Sequence, residues 1–326
     1  MTRTPSISIA LCTYNGAKYL PAQLASLVQQ TQLPFELIVC DDGSSDDTLN
    51  VLQSFAGRAP FPVHLHFNEN NFGSTKNFEK AIGLCSGEII ATCDQDDVWL
   101  PGKLKRFAEI FAAEPELGLA FSDAMLVDDE LRDTGHSLWN CYHFPESLQM
   151  KQVPWLDPNL LIRFNVVTGA CMAFRRELVP MFGPIPKEWI HDHWISFIAS
   201  VRSRVKLVPE PLILYRRHQA QQVGASPLTL LRQIRNATAF TEKYFLDRAN
   251  AWEQMLDHLR KSPSMGHELP VLAAIRGKID HSLASALMRG KNRIRRIALA
   301  ARELLHGRYH RYGLGVKSFL VDAFYP

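Results

Sequence analysis

The chain lacks the features that mark secreted, membrane-spanning and zinc-binding proteins. None of its six cysteines forms a C-x-x-C pair, so we expect buried core thiols rather than disulfides or a zinc site. No stretch approaches the roughly 18 consecutive apolar residues that a membrane-spanning helix needs, and the N-terminus lacks the apolar segment of a signal peptide. The sequence therefore predicts a cytoplasmic protein, with peripheral contact at the inner face of the cytoplasmic membrane left open.

Two glycine-rich phosphate-binding motifs are also missing. There is no G-x-x-x-x-G-K-[ST] loop and no G-x-G-x-x-G after the first predicted strand, so phosphates are not expected to bind through such a loop. The formal net charge of +3 over 326 residues is too small to predict a nucleic-acid partner. Hydrophobic residues make up 46% of the chain, which is enough for a sizeable core.

Strand and helix patterns alternate through the N-terminal third of the chain. The predicted strands are 6–12, 35–40, 63–67 and 88–93, and the predicted helices are 18–30, 46–55, 77–85 and 101–113. This order predicts an α/β fold with a mainly parallel, doubly wound sheet. Later strands are predicted at 119–127, 170–175, 205–207 and 212–215, and the chain after residue 227 reads as helical.

A polar cluster follows each of the first four strands. The clusters are Thr13-Tyr14-Asn15, Asp41-Asp42-Gly43-Ser44, residues 68–73 and Asp94-Gln95-Asp96-Asp97. Ligands of such sheets bind beyond the carboxyl ends of the strands. The four clusters therefore predict one ligand-binding rim.

The fourth cluster is a D-x-D motif. In an extended chain, Asp94 and Asp96 point to the same side, and two carboxylates with open positions opposite suit Mg²⁺ or Mn²⁺ carrying substrate phosphates. The alternative is an acidic loop that caps the next helix. At the second strand end, Asp41 or Asp42 could accept the N3–H of uracil or thymine, or could only form a turn.

Taken together, these residues resemble the family 2 glycosyltransferases of the GT-A fold. The resemblance covers roughly residues 5–225, and Asp-Gln-Asp-Asp-Val-Trp resembles the bacterial rhamnosyltransferase-type branch. The matching segments are Thr13-Tyr14-Asn15, residues 41–46, residues 71–77 and residues 94–99. The resemblance implies inverting transfer of a sugar, such as rhamnose, from a dTDP- or UDP-linked donor to a cell-surface glycan or lipid-linked acceptor.

It also implies roles for individual residues. The nucleotide-sugar would be bound by Thr13, Tyr14, Asn15, Asp41, Asp42, Lys76, Asp94, Gln95 and Arg217. Asp96 would bind the metal, with His218 as a further ligand or only an exposed imidazole. Arg216 or Arg217 could neutralise the diphosphate leaving group. The role of Asp97 stays open.

The reaction also needs a proton acceptor. The resemblance places it at Asp192, after an acceptor loop that contains Thr168 and Gly169. Many relatives have Glu-Asp where this chain has His191-Asp192. The alternative for Asp192 is an N-cap of a helix at 193–201. His191 and His193 are badly spaced for zinc on one helical face.

The predicted domain layout is a GT-A domain at residues 1–226, with a nucleotide-sugar half at 1–118 and an acceptor half at 119–226 in which the sheet is mixed. A basic helical extension follows at 227–326. Apolar residues from Ile294 to Leu305 recur at helical spacing, and arginines lie mostly off that stripe. This pattern is typical of a helix on an anionic membrane, or of one packed on its own domain or on a homodimer partner.

Two other functions stay open for the rim. One is a non-catalytic module that binds a nucleotide-sugar, against which Asp96 and Asp192 argue because both are intact. The other is a nucleotidyltransferase, which would usually carry a glycine-rich basic signature near its first strand. Tyr14-Asn15-Gly16 provides none.

Overall fold

The structure is a computed structural model that describes residues 3–142, 144–218, 240–261 and 269–324. The chain separates into two compact units, Met1–Leu156 with Val166–Ser226, and Asp157–Asn165 with Pro227–Pro326. The first holds the predicted rim. The predicted functional boundary at residue 226 stays a prediction.

Strands and helices alternate first and helices dominate later. The strands are β1 Ile7–Thr13, β2 Glu36–Asp41, β3 Val63–Phe67, β4 Ile89–Asp94, β5 Val98–Trp99, β6 Leu117–Val127, β7 Asp133–Ser137, β8 Met172–Arg175 and β9 Arg204–Arg216. The helices are α1 Leu20–Val28, α2 Thr48–Ala56, α3 Ser74–Leu84, α4 Lys103–Ala113, α5 Leu138–Cys141, α6 Glu146–Gln149, α7 Pro158–Arg163, α8 His191–Arg202, α9 Glu242–Lys261, α10 Leu269–Met288, α11 Arg293–Leu305, α12 Arg308–Tyr312 and α13 Val316–Phe324.

The described strands form one sheet in the order β3-β2-β1-β4-β8-β6-β9-β5, with β7 paired to β6. The first four strands are parallel. β8 is antiparallel to both β4 and β6, and β9 is parallel to β6. The prediction of a mainly parallel sheet with a mixed second half is confirmed.

The central strands are buried along their whole length. All residues of β1 and β2 are buried, and α3 packs on both strands. A strand covered on both faces needs apolar residues at successive positions, which explains its continuous apolar sequence. The polar residues that follow these strands are thereby placed at one edge of a rigid sheet.

The region of β9 was predicted to form two short strands, at 205–207 and 212–215. It is a single strand, and its pairing with β6 shifts register where Ser122 pairs with Val208 and Asp123 with Pro211. Pro209 and Glu210 form the bulge in this shift, because proline cannot donate a ladder hydrogen bond. β9 thus runs unbroken toward the rim, where His218 follows it.

The second unit is helical where it is described. Met288, Ala300, Tyr309 and Ala323 form its buried apolar cluster. Beside that cluster, Asp322 pairs with Arg289 at 2.7 Å and accepts hydrogen bonds from Ser285 and Tyr309. Among the described helices, none is long and apolar enough to cross a bilayer.

Candidate active site

A cavity of about 380 Å³ lies at the carboxyl ends of β1, β2 and β4. Its walls come from both halves of the first unit. The lining residues are Cys12, Thr13, Tyr14, Asn15, Tyr19, Asp42, Asn71, Ser74, Asn77, Phe78, Asp94, Gln95, Asp96, Tyr142, Thr168, Gly169, Ile190, His191, Asp192, Tyr215 and His218.

Asp41 is buried beside this cavity, at the end of β2. Its Oδ1 accepts hydrogen bonds from Thr13 Oγ1 at 2.8 Å and from Ser44 Oγ at 2.5 Å, and its Oδ2 accepts one from the Ser44 N–H at 2.8 Å. The carboxylate therefore joins the end of β1 to the loop after β2. Asp41 is not itself a lining residue, but it fixes Thr13, which lines the cavity.

Asp42 organises the loop after β3. Its Oδ1 accepts hydrogen bonds from Asn68 Nδ2 and the Phe72 N–H, both at 2.9 Å, and its Oδ2 accepts one from the Gly73 N–H at 2.8 Å. Gly73 has φ 84°, a conformation that glycine adopts at little cost. α3 then begins at Ser74, earlier than predicted.

The loop after β1 is held by the D-x-D segment. Gln95 Oε1 accepts from the Tyr14 N–H at 2.9 Å, and Gln95 Nε2 donates to the Tyr14 carbonyl at 3.0 Å. A Cβ on Gly16 would lie 2.1 Å from Gln95 Oε1. The side chain at residue 95 therefore fixes this loop and needs a glycine opposite. Asn15 lies in the same loop, and its Oδ1 accepts a hydrogen bond from the Ser45 N–H.

The carboxylates after β4 lie in a strongly negative environment. Burial and the charges of Asp96 and Asp192 raise the pKa of Asp94. Burial, Asp96 and Asp94 likewise raise the pKa of Asp97, whose Oδ2 has no hydrogen-bond partner among the described residues. Both shifts mean that negative charge is costly here. A cation would relieve that cost.

A buried lysine lies beneath these carboxylates. Lys103 at the start of α4 is fully buried, donates from Nζ to the Ala170 carbonyl at 2.5 Å and lies 3.7 Å from the Trp99 ring centroid. Burial lowers the pKa of Lys103 to about 8. The positive charge of Lys103 lowers the pKa of Asp94 and Asp97 and so offsets part of the increase caused by burial and by the neighbouring carboxylates.

His218 reaches the D-x-D motif from the end of β9. Its Nε2 lies 2.8 Å from Asp96 Oδ2, and its side chain is only 7% exposed. The neighbouring Arg216 donates to the carbonyls of Asp96 and Asp129. These bonds hold the Arg216 guanidinium on the backbone and position the chain that carries His218.

The donor atoms here fit a divalent metal shared with a substrate. Asp96 Oδ2 and His218 Nε2 are close enough to bind one ion together. No group of three or more histidine, cysteine or acidic side chains in the described chain could enclose a metal. Mg²⁺ and Mn²⁺ are commonly bound through one or two protein ligands plus substrate phosphates, so this sparse set suits an ion that arrives with a diphosphate.

Asp192 faces the cavity from the first turn of α8. Its Oδ2 accepts a hydrogen bond from the Gly169 N–H at 3.1 Å. The helix begins at His191, with Ile190 as the N-cap residue. The alternative of Asp192 as an N-cap is therefore wrong. Asp192 instead links α8 to the predicted acceptor loop.

Most predicted site residues meet at this cavity. Those that line it are Thr13, Tyr14, Asn15, Asp42, Asp94, Gln95, Asp96, Thr168, Gly169, Asp192 and His218. Asp41, Lys76 and Arg217 are not among the lining residues. Lys76 pairs with Glu79 at 2.5 Å, and the Arg217 N–H donates to the Val127 carbonyl.

Several lining residues were not predicted. Tyr142 follows the short helix α5, where no periodic pattern points to a site. Tyr215 is the second-last residue of β9 and reads as a core residue. His191 is recognisable only as the residue before Asp192, since its burial against Phe78 is a tertiary feature.

Comparison with known proteins identifies the family. The sequence profile of Glycosyl transferase family 2 matches residues 8–180, which is more than half of this 326-residue chain. The chain belongs to glycosyl transferase family 2, and the predicted family is confirmed.

Two curated relatives illustrate the similarity. An uncharacterized glycosyltransferase of Nostoc sp. is 28% identical over 218 residues, which cover 66% of this chain and 65% of the relative. The dTDP-rhamnosyl transferase RfbG of Shigella flexneri is 25% identical over 240 residues, 66% of this chain and 74% of that protein. The chain thus spans less than two thirds of the Nostoc relative.

Solved structures share the fold. Residues 1–349 of S. aureus TarS in complex with UDP-GlcNAc align with a TM-score of 0.57 and 18% identity, covering 98% of this chain and 91% of that one. The mannosyltransferase PcManGT from Pyrobaculum calidifontis, in complex with GDP-Man and Mn²⁺, aligns with a TM-score of 0.54 and 19% identity, covering 99% and 86%. The predicted GT-A type fold is confirmed.

Proposed function

We propose that the protein is an inverting, metal-dependent glycosyltransferase. It would move a sugar from a nucleoside diphosphate donor to a hydroxyl of a cell-surface glycan or lipid-linked acceptor. The observation that carries this proposal is that Asp96, His218 and Asp192 line one cavity. A metal-binding pair would neutralise the leaving diphosphate, and a separate carboxylate would take the proton of the acceptor hydroxyl.

The proposed reaction is a single displacement. The acceptor oxygen attacks the anomeric carbon opposite the diphosphate, the bond between that carbon and the diphosphate oxygen breaks, and the acceptor proton passes to Asp192. The Gly169 N–H orients that carboxylate. When bound by Asp96 and His218, Mg²⁺ or Mn²⁺ would neutralise negative charge on the leaving diphosphate.

We further propose a dTDP- or UDP-linked donor, with rhamnose as the candidate sugar. The support is the Asp-Gln-Asp-Asp-Val-Trp segment together with the similarity to a dTDP-rhamnosyl transferase. The nucleotide would lie on the rim formed by Thr13, Tyr14 and Asn15, which line the cavity near the ends of β1 and β2.

Calorimetry and donor hydrolysis test these proposals. We expect dTDP or UDP to bind in Mn²⁺ and to lose most of its affinity in EDTA, because the diphosphate would otherwise face Asp94 and Asp96. Incubation with dTDP-rhamnose, UDP-GlcNAc and GDP-mannose should give hydrolysis of one donor above the others. Equal affinity in EDTA would refute the metal assignment, and hydrolysis of none would refute the transferase.

We also propose that α11 contacts an anionic membrane surface at the inner face of the cytoplasmic membrane. Within the second unit, Ile294 and Leu305 of this helix are 82% and 88% exposed, while Ile297 and Leu304 pack against its core. Arg293, Arg295 and Arg302 are exposed on the same helix. Exposed apolar side chains beside basic ones are typical of a helix that lies in the headgroup region.

Vesicle sedimentation tests this contact. Phosphatidylglycerol vesicles should bind the wild type, and the double variant Ile294→Gln/Leu305→Gln should bind weakly while keeping donor hydrolysis. Leu269→Gln is the control, since Leu269 is also 75% exposed but lies on α10. Unchanged binding would refute the proposal. If the molecular mass rises with protein concentration for the wild type but not for the double variant, these residues would instead form a homodimer contact.

A further inference from the structure

His191 is a buried polar residue in the wall of the cavity. It is 5% exposed, and neither Nδ1 nor Nε2 has a hydrogen-bond partner among the described residues. A buried polar group left unsatisfied costs about 1–3 kcal/mol, and such groups in native proteins usually have an explanation. The imidazole lines the cavity, so a ligand in that cavity could supply the missing partner.

The imidazole is held in one place. It stacks on the Phe78 ring, with centroids 4.0 Å apart and planes 20° apart. The backbone of Gly169 lies against another side of the ring, since a Cβ added to Gly169 would be 2.6 Å from His191 Nε2. A ring fixed in this way loses little conformational freedom when it binds a ligand.

The chemistry of the ring selects the ligand group. Burial lowers the pKa of His191 to about 3, so the ring is neutral at physiological pH and presents one donor and one acceptor. A neutral imidazole suits a hydroxyl, which also donates and accepts. It suits a phosphate less well, because a phosphate favours charged donors.

The position of the ring links it to the reaction. His191 directly precedes Asp192, and both side chains contact or approach Gly169 in the acceptor loop. A hydroxyl bound at His191 would therefore belong to a group close to the proposed base.

We propose that His191 is a specificity-determining residue that hydrogen-bonds a sugar hydroxyl in the cavity. The proposal rests on the proposed glycosyltransferase function. Two sugars could carry the hydroxyl, the donor sugar or the acceptor sugar. The chemistry of recognition is the same for both.

The test compares His191→Phe with the wild type. Phenylalanine keeps the stacking on Phe78 and removes both ring nitrogens. His191→Leu is a second, smaller apolar variant, and His191→Gln restores a donor and an acceptor. His193→Phe is the matched control, because His193 lies on the same helix but is not among the residues that line the cavity. Thermal unfolding of each variant verifies folding.

Three quantities are measured: affinity for UDP and dTDP, the kcat and KM for hydrolysis of the preferred nucleotide-sugar, and the kcat and KM for transfer to p-nitrophenyl glycosides. Nucleotide affinity should be unchanged. A donor-sugar contact predicts a hydrolysis kcat/KM roughly five- to tenfold lower in the apolar variants. An acceptor contact predicts unchanged hydrolysis and a similar loss in transfer alone. Glutamine should recover part of either loss.

The outcomes separate this inference from the proposed function. If the wild type hydrolyses a donor and both apolar variants stay within twofold of it in hydrolysis and transfer, His191 is not a specificity determinant and the transferase stands. The inference also fails if His193→Phe loses as much activity as His191→Phe. If the wild type acts on no nucleotide-sugar, both proposals are overturned.

Discussion

At the residue scale, Asp192 and Asp96 lie on the same cavity but have different predicted roles. Asp192→Asn keeps the side-chain shape and an oxygen that can accept from the Gly169 N–H, but it removes the proton acceptor. Transfer should fall by roughly a hundredfold to ten-thousandfold. Donor affinity, measured by calorimetry, should hardly change.

Asp96→Asn provides the contrasting variant. It removes the negative charge beside His218, so donor and Mn²⁺ affinity should fall together. Full transfer activity in Asp192→Asn would show that the base is another residue. Loss of donor affinity in both variants would show that the two roles are not separate.

A second residue-scale prediction concerns pH and His191. Its pKa is lowered to about 3 in the folded protein, against about 6.5 in the unfolded chain. The unfolded state therefore binds the proton more readily below about pH 6.5, and the free energy of unfolding should decrease as the pH falls. Between pH 7.5 and 5 this residue should account for a loss of about 2 kcal/mol.

Denaturant unfolding of the wild type and His191→Phe at both pH values measures this effect. The variant lacks the titrating ring, so its stability should decrease less on acidification. Parallel curves for the two proteins would show that the pKa of His191 is not lowered in the folded protein.

The sequence reveals these site residues to different extents. Asp94 and Asp96 were predictable because their spacing has a meaning in an extended chain, and Asp192 because it follows a recognisable loop. That the ring nitrogens of His191 have no hydrogen-bond partner among the described residues was not predictable, since it depends on which side chains surround the ring. The nucleotide contact of Lys76 stays a prediction, because it came from a familiar segment and the structure shows only the pairing of Lys76 with Glu79.

At the element scale, the loop after β1 depends on Gln95. Gln95→Ala removes both hydrogen bonds to the Tyr14 backbone, each worth about 1 kcal/mol. The variant should be less stable and should bind dTDP or UDP several-fold more weakly, because Tyr14 and Asn15 would no longer be fixed.

A double-mutant cycle tests that mechanism. Gly16→Ala places a Cβ against Gln95 Oε1 and should weaken nucleotide binding by displacing the same amide. The double variant should then be little worse than either single one, since both act through one contact. Additive losses would show that the two residues act independently.

Strands were predictable where their sequence pattern matches their burial. β1, β2 and β4 lie within one residue of their predicted bounds, because these central strands are buried almost throughout. β3 has its predicted bounds although it is a partly exposed edge strand, because apolar residues alternate with histidine in Val-His-Leu-His-Phe. β9 was divided in the prediction by its two prolines, and only pairing with β6 shows that the strand continues through a bulge. β5 is two residues long, too short for any periodicity.

At the scale of the whole molecule, the second unit depends on a buried ion pair. Asp322→Ala removes the carboxylate that binds Arg289, Ser285 and Tyr309. Breaking a buried pair by removing one partner costs roughly 3–5 kcal/mol, so the free energy of unfolding should fall by about that amount.

Chemical denaturation measures this loss. Asp280→Ala is the control, because Asp280 is an exposed acid on α10 and its removal should change stability by no more than about 0.5 kcal/mol. A loss in Asp322→Ala no greater than in the control would show that the pair contributes nothing net. Deleting residues 289–326 would remove this same network, so point variants are the better test of α11.

Asp41 and Asp42 each accept three hydrogen bonds from the protein itself. The loops around the cavity are therefore ordered during folding, before any nucleotide arrives. The entropy that a flexible loop would lose on binding has already been lost. Donor association should thus proceed with little loop ordering and a rate close to that of a rigid site. Substitution of either aspartate should appear in calorimetry mainly as a larger unfavourable entropy of binding.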